Sequence, residues 1–201
     1  MGRTFVPRKD HPPALNYAHL HALADTLWRI TDPDDPHAAR YSDAAHRLLT
    51  GASPRHARPS NWITTLHRYE TFFEDHGRAA RENTRARHTL TDDERHLGEW
   101  ARYQRRYEDH LNPYQRARLE VSPAFEWDPR SANWHRNLTS CHLHRLRTGG
   151  LPRLNGDDPD EFALARWLGR QLHRLQHGQL DPLRAERLHA LLNTRGGSSP
   201  W

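Results

Sequence analysis

Lysine is nearly missing. Lys9 is the only one in 201 residues, although lysine and arginine together number 30. A Walker A loop needs a lysine among glycines to reach nucleotide phosphates. Lys9 lies in "FVPRKDH", which has no glycine, so the chain carries no such motor loop. Cysteine is reduced to Cys141, which excludes an intrachain disulfide and fits a reducing compartment. No apolar run approaches the roughly 18 residues that span a membrane. The start, "MGRTFVPRKD", has no signal-peptide apolar region, and Val6 breaks the myristoylation pattern. These absences predict a cytoplasmic protein with no membrane partner. Apolar residues are also scarce, at 35% with a mean hydropathy of −1.04. That predicts several small cores, each centred on an aromatic, and seven tryptophans are present for the purpose.

The cationic charge is therefore arginine. A GC-rich gene and a phosphate-bearing partner would both favour it. Arginine's planar fork grips phosphate at two points and stacks on bases. The net charge of +5 and the isoelectric point near 9.9 suit an anionic partner. The charge is uneven. Residues 62–133 carry 12 basic and 13 acidic side chains, whereas residues 134–201 carry 10 and 6. Double-stranded DNA bound chiefly by the last third is the expectation.

An internal repeat organises the chain. "SNWITTLHRYETFFEDHG" places Trp62, Leu66, Tyr69 and Phe73 at helical spacing, with Gly77 as a left-handed cap. "ANWHRNLTSCHLHRLRTGG" does the same with Trp134, Leu138, Cys141 and Gly149. A second helix starts at Thr91 and at Asp158. Each cap is followed by an acid at +3 (Glu94, Glu161), a leucine at +6 (Leu97, Leu164) and a tryptophan at +9 (Trp100, Trp167). The acids read as returning members of a capping box. A third helix starts at Asn112–Pro113 and at Asp181–Pro182, with Arg118 and Arg187 in register. Ahead of the repeat, Leu20, Leu23, Leu27 and Ile30 mark one helix and Asp35–Pro36 start another. The expected architecture is all-α. Residues 1–59 form a helical arm or a degenerate repeat, and residues 60–130 and 131–201 form two tandem three-helix domains. Trp127 and Trp201 are expected to pin back onto the first and second of these.

The repeated order of motifs resembles the helicase-associated domain family, in tandem copies of the actinobacterial type and without the helicase motor. The resemblance covers about residues 60–195. It rests on Trp62, "HG" at 76–77, "LGEW" at 97–100, "QRR" at 104–106, Arg118 and "FEWDP" at 125–129. In the second copy it rests on Trp134, "LARW" at 164–167, Gln171, "HGQL" at 177–180, Arg184 and Arg187. The second copy departs from the pattern at Leu172, where an arginine is expected. The family's domains are similar to small Myb-like, helix-turn-helix-like folds. The resemblance implies nucleic-acid binding beside a separate helicase or replication protein.

In such readers the last helix enters the major groove. That assigns Arg184 and Arg187, with Gln115 and Arg118 at the matching places and Arg116 as a neighbour. Arginine reads guanine and glutamine reads adenine. In the second helix, Arg166, Arg170 and Arg174 form a stripe for phosphates. The first copy has Glu99 and Tyr103 at the matching positions, and its basic candidates are Arg102, Arg105 and Arg106. The loop arginines Arg78, Arg81, Arg85 and Arg87 either reach a neighbouring groove or lie in a polar loop. No catalysis, cofactor or metal is expected. His173 and His177 share a helix face but lack the acid of a His-Glu-x-x-His motif, and no serine sits in a nucleophile elbow. The competing reading is a protein-interaction adaptor for a helicase or replication complex, docking through the N-terminal helices or the near-neutral first copy.

Overall fold

The structure, a computed structural model, describes residues 14–82 and 87–193, with backbone only at position 87. The described residues are all-α, with no strand. Trp201, Lys9 and Arg85 lie outside them. Eight α-helices run in the order α1 (Tyr17–Thr31), α2 (Pro36–Thr50), α3 (Ala57–His76), α4 (Asp92–Arg106), α5 (Pro113–Glu120), α6 (Pro129–Thr148), α7 (Pro159–Gln176) and α8 (Pro182–Asn193). The chain divides into two compact units, Met1–Trp127 and Asp128–Trp201. Among these helices none is long and apolar enough to cross a membrane.

Local chemistry sets most helix starts. Asp35, Thr91, Asn112, Asp128, Asp158 and Asp181 each accept first-turn amides, and proline follows at the first position of α2, α5, α6, α7 and α8. Gly77 and Gly149 end α3 and α6 at φ 63° and 75°, a backbone region costly for residues with a Cβ. The polar segment "TGASPRHARPS" is partly helical. α3 already begins at Ala57, so Arg58, Pro59 and Ser60 form its first turn.

The first unit has five helices rather than three. Residues 14–50 belong to this unit, with α1 packed on α5 and α2 packed on α3. Leu20, Ala24 and Trp28 of α1 are buried, whereas Leu23, Leu27 and Ile30 face solvent, 41%, 43% and 76% exposed. The helical spacing was legible, but the buried face is the one centred on Trp28. Trp127 packs on the first core, and its indole donates to Glu120.

The second unit has α6, α7 and α8 around Trp134, Leu138, Cys141, Trp167, Leu168, Leu188 and Leu191. Leu188 and Leu191 are the fully buried positions of α8. Burial pushes the Cys141 thiol up to about 12, so it stays protonated at neutral pH.

One arrangement occurs in both units. Trp62 and Trp100 stand with ring centres 5.9 Å apart, and Trp134 and Trp167 at 6.1 Å. The indole N–H of the first ring donates to a buried glutamine one turn beyond the second, Trp62 to Gln104 at 2.9 Å and Trp134 to Gln171 at 3.1 Å. Two indoles fill a small centre, and one hydrogen bond fixes helix one against helix two.

The acids at +3 do not close capping boxes. Glu94 turns back onto the loop before α4, where its carboxylate takes the Arg81 amide at 3.1 Å and the guanidinium groups of Arg81 and Arg78. Glu161 takes the Arg153 amide at 3.0 Å in the same way. Charged donors and loop amides outcompete the cap's own N–H. The capping box that does form joins Asn112 and Gln115.

Two measurements follow. Trp134→Phe leaves Gln171 buried without its donor and lowers stability by about 1–3 kcal/mol in urea unfolding. Adding Gln171→Leu recovers part of that loss, whereas no recovery would separate the glutamine from the indole. Hydrogen bonds from Arg81, against the opposing effect of burial, hold Glu94 down at about 2, below its ordinary 4.5. A depressed carboxylate stabilises the fold above its unfolded value, and that contribution disappears as pH falls through the folded one. The stability gap between wild type and Glu94→Gln is therefore full at pH 7 and closes between about pH 4.5 and 2. A gap that stays constant across that range would contradict the assignment.

Candidate nucleic-acid interface

Helix α7 buries Trp167, Leu168 and Gln171. Positions 166, 170 and 174 are spaced four apart on another face, and Arg166, Arg170 and Arg174 are exposed there. With Gly169, His173 and Gln179 they line one shallow groove of about 530 Å³. The sequence pattern had missed the last three. None of the three arginines has an ion-pair partner among the described residues. Their neighbours three and four positions away on the helix are Phe162, Ala163, Trp167, Gly169, Gln171, His173, His177, Gly178 and one another, with no acid. Like charges at four-residue spacing cost a few tenths of a kcal/mol per pair.

Gly169 adds to that cost. A glycine inside a helix is about 1 kcal/mol less favourable than alanine. Packing does not demand it, because an added Cβ would meet nothing within 4 Å. Gly98 of α4 differs, since a Cβ there would lie 2.3 Å from the Arg81 carbonyl. One glycine serves the loop that Glu94 anchors. The other leaves bare backbone between cations. A face with unmatched positive charge and open backbone is suited to an anion that approaches closely.

The other candidates separate into three groups. On α8, Arg187 is exposed and bonds the His135 ring at 2.9 Å. Arg184 stacks over Trp134 and pairs with Asp181 at 3.2 Å, its side chain 29% exposed. No other helix of this unit covers the outer face of α8, where Leu183 is 54% exposed. On α4, Arg102 and Arg106 are exposed, Arg106 lying over the Tyr107 ring. Arg116 is half-exposed, pairs with Glu108 at 2.7 Å and lies over Trp127.

The remaining three are structural, which corrects their assignment to DNA. Arg118 is buried and makes a two-pronged ion pair with buried Glu70, both bonds 2.8 Å, and Ser122 donates to the same carboxylate. Gln115 is buried and occupied by the cap of α5. Arg105 pairs with Glu82, donates to the Glu126 carbonyl at 2.7 Å and lies over Phe125. The reason is tertiary. α1 lies on α5, and Tyr114 is fully buried beneath it, hydrogen-bonded to His21 at 2.8 Å. A third helix that is covered cannot enter a groove of DNA. In the loop, Arg78 and Arg81 are likewise committed to Glu94.

His173 and His177 meet at the end of α7. The His177 ring donates to the His173 carbonyl at 2.7 Å, and the two rings lie against each other at 4.2 Å. Among the described residues no three His, Cys, Asp or Glu side chains are grouped to hold a metal ion. His144 of "CHLH" is buried beside Glu161 at 3.4 Å.

No family model matches the chain, and neither a curated protein nor a solved structure matches it.

Breaking a buried ion pair strands a charge and costs about 3–5 kcal/mol. Arg118→Ala is expected to lose that much stability in chemical unfolding, and replacing Glu70 and Arg118 together by methionine restores most of it. An Arg118→Ala protein as stable as wild type but weakened in DNA binding would return this residue to the interface.

Proposed function

We propose that the chain is a non-catalytic DNA-binding protein whose second unit carries the contact surface. The observation that supports this most is the α7 groove, where Arg166, Arg170 and Arg174 face solvent without acids around an open glycine. The charge balance agrees, with eleven arginines against seven acids over residues 128–201. In this reading the α7 stripe takes phosphates, and Arg187 and Arg184 on the uncovered α8 approach the base edges. The unit then works as a helix-turn-helix-like, helicase-associated module beside a motor supplied by another chain. Gln115, Arg118 and Arg105 have no part in it.

The second reading, an adaptor for a helicase or replication complex, is favoured by one observation on the first unit. Leu23, Leu27 and Ile30 make an exposed apolar stripe on α1, a face that water does not favour. The adaptor reading expects a helicase-containing complex held through nuclease treatment and released by changing these three residues to serine.

Duplex affinity separates the two. Phosphate binding releases counterions, so log K falls linearly with log salt at about 0.9 per phosphate contact. Replacing Arg166, Arg170 and Arg174 by serine should lower the magnitude of that slope by up to about 2.7. Wild-type protein that ignores duplex DNA at low salt, or binds it indifferently to salt, sinks the DNA reading.

A further inference from the structure

The first unit is nearly neutral, and its arginines are mostly matched. Among its fourteen arginines with described side chains, nine form an ion pair with a carboxylate. Of the five that do not, Arg40, Arg55 and Arg58 line a single groove of about 780 Å³. Arg40 comes from α2, Arg55 from the segment before α3, and Arg58 from the first turn of α3. All three are exposed. The groove is completed by the turn before α5 and by Pro113 and Gln115 at its start, and His37, His56 and His110 also line it.

The acids on its wall are Asp35 and Asp109. Asp35 is already engaged as the cap of α2, accepting the His37 and Ala38 amides at 2.7 and 3.3 Å. Asp109 is exposed. The cations therefore outnumber the free acids in a unit that pairs most of its arginines. The backbone adds to this. α3 begins at His56 without any side-chain cap, in contrast to the capped starts of the other α-helices. Its first amides are left without a side-chain acceptor on the groove wall, at the positive end of the helix dipole.

We infer that this groove is a second binding site, and that its ligand is the sugar–phosphate backbone of a nucleic acid. Phosphate oxygens accept both guanidinium forks and helix-terminal amides. The three arginines stand on separate segments and are solvated, so they suit a chain bearing a charge at each residue. A small polyphosphate would draw its donors into one enclosed pocket. The inference extends the nucleic-acid reading to the first unit but stands on residues of that unit alone.

The test uses the full chain and a fluorescent duplex, with anisotropy read across a salt series. Arg40→Ser, Arg55→Ser and Arg58→Ser together should weaken binding at least tenfold and reduce the salt slope by up to about 2.7. The melting curve should stay unchanged. A control replaces Arg29, Arg47 and Arg68, which are paired, by serine and removes the same net charge. Equal losses in the two variants would reduce the groove to general surface charge and overturn the site. Unchanged affinity and slope in the groove variant would overturn it as well. Repeating the change in a background already lacking Arg166, Arg170 and Arg174 isolates the first unit. A further loss there supports the groove whatever the second unit contributes, and no further loss counts against it. Tripolyphosphate provides the last arm. If the groove variant loses tripolyphosphate but keeps the duplex, the ligand is a free polyphosphate and the backbone assignment fails.

Discussion

A hydrogen bond from a buried indole to a buried glutamine holds each half of this protein together. The chain is poor in apolar residues, and among the described residues the second unit closes on only seven buried side chains, against eighteen in the first. In each, two indoles meet where the first long helix crosses the second. The bond from Trp62 to Gln104, and from Trp134 to Gln171, then sets how the first long helix lies against the second. Once that angle is set, the outward positions of α7 are set too. Arg166, Arg170 and Arg174 face solvent because Trp167 and Gln171, their neighbours in sequence, are held inside.

The two units use the same frame to different ends. In the second, α8 stays uncovered and the arginines of α7 stay unmatched. In the first, α1 lies over α5, and the arginine at the matching position turns inward to Glu70. The residue of α6 that lies 72 positions after Glu70, the offset between the two first-helix tryptophans, is His142. The second unit therefore offers Arg187 no carboxylate at that place, and Arg187 reaches His135 at the surface instead. The same residue type becomes a structural pin or a surface cation according to what faces it.

Much of this was legible in the sequence wherever the cause is local. Helix starts followed from Asp or Asn caps with proline behind them or from the Thr91 cap, and the ends of α3 and α6 followed from Gly77 and Gly149. The tryptophan repeat marked the two small centres. Long-range partners were not legible. Nothing near Arg118 announces Glu70, 48 residues away, and nothing near Gln115 shows that α1 covers its helix. Glu94 followed the capping-box pattern, but its real partners lie in the preceding loop. Gly169 carried a signal that spacing alone could not interpret, because its meaning depends on there being nothing above it.

In the proposed function the main contact with DNA lies on α7 and α8, and Arg118 of α5 takes no part. Amide chemical shifts of the full chain, followed as a short duplex is added at low salt, test this directly. Large changes are expected at Gly169 and along 166–179 and at Arg187, with Gly98 and Arg118 unmoved. Changes concentrated on α5, or none at Gly169 while the duplex binds, would contradict it.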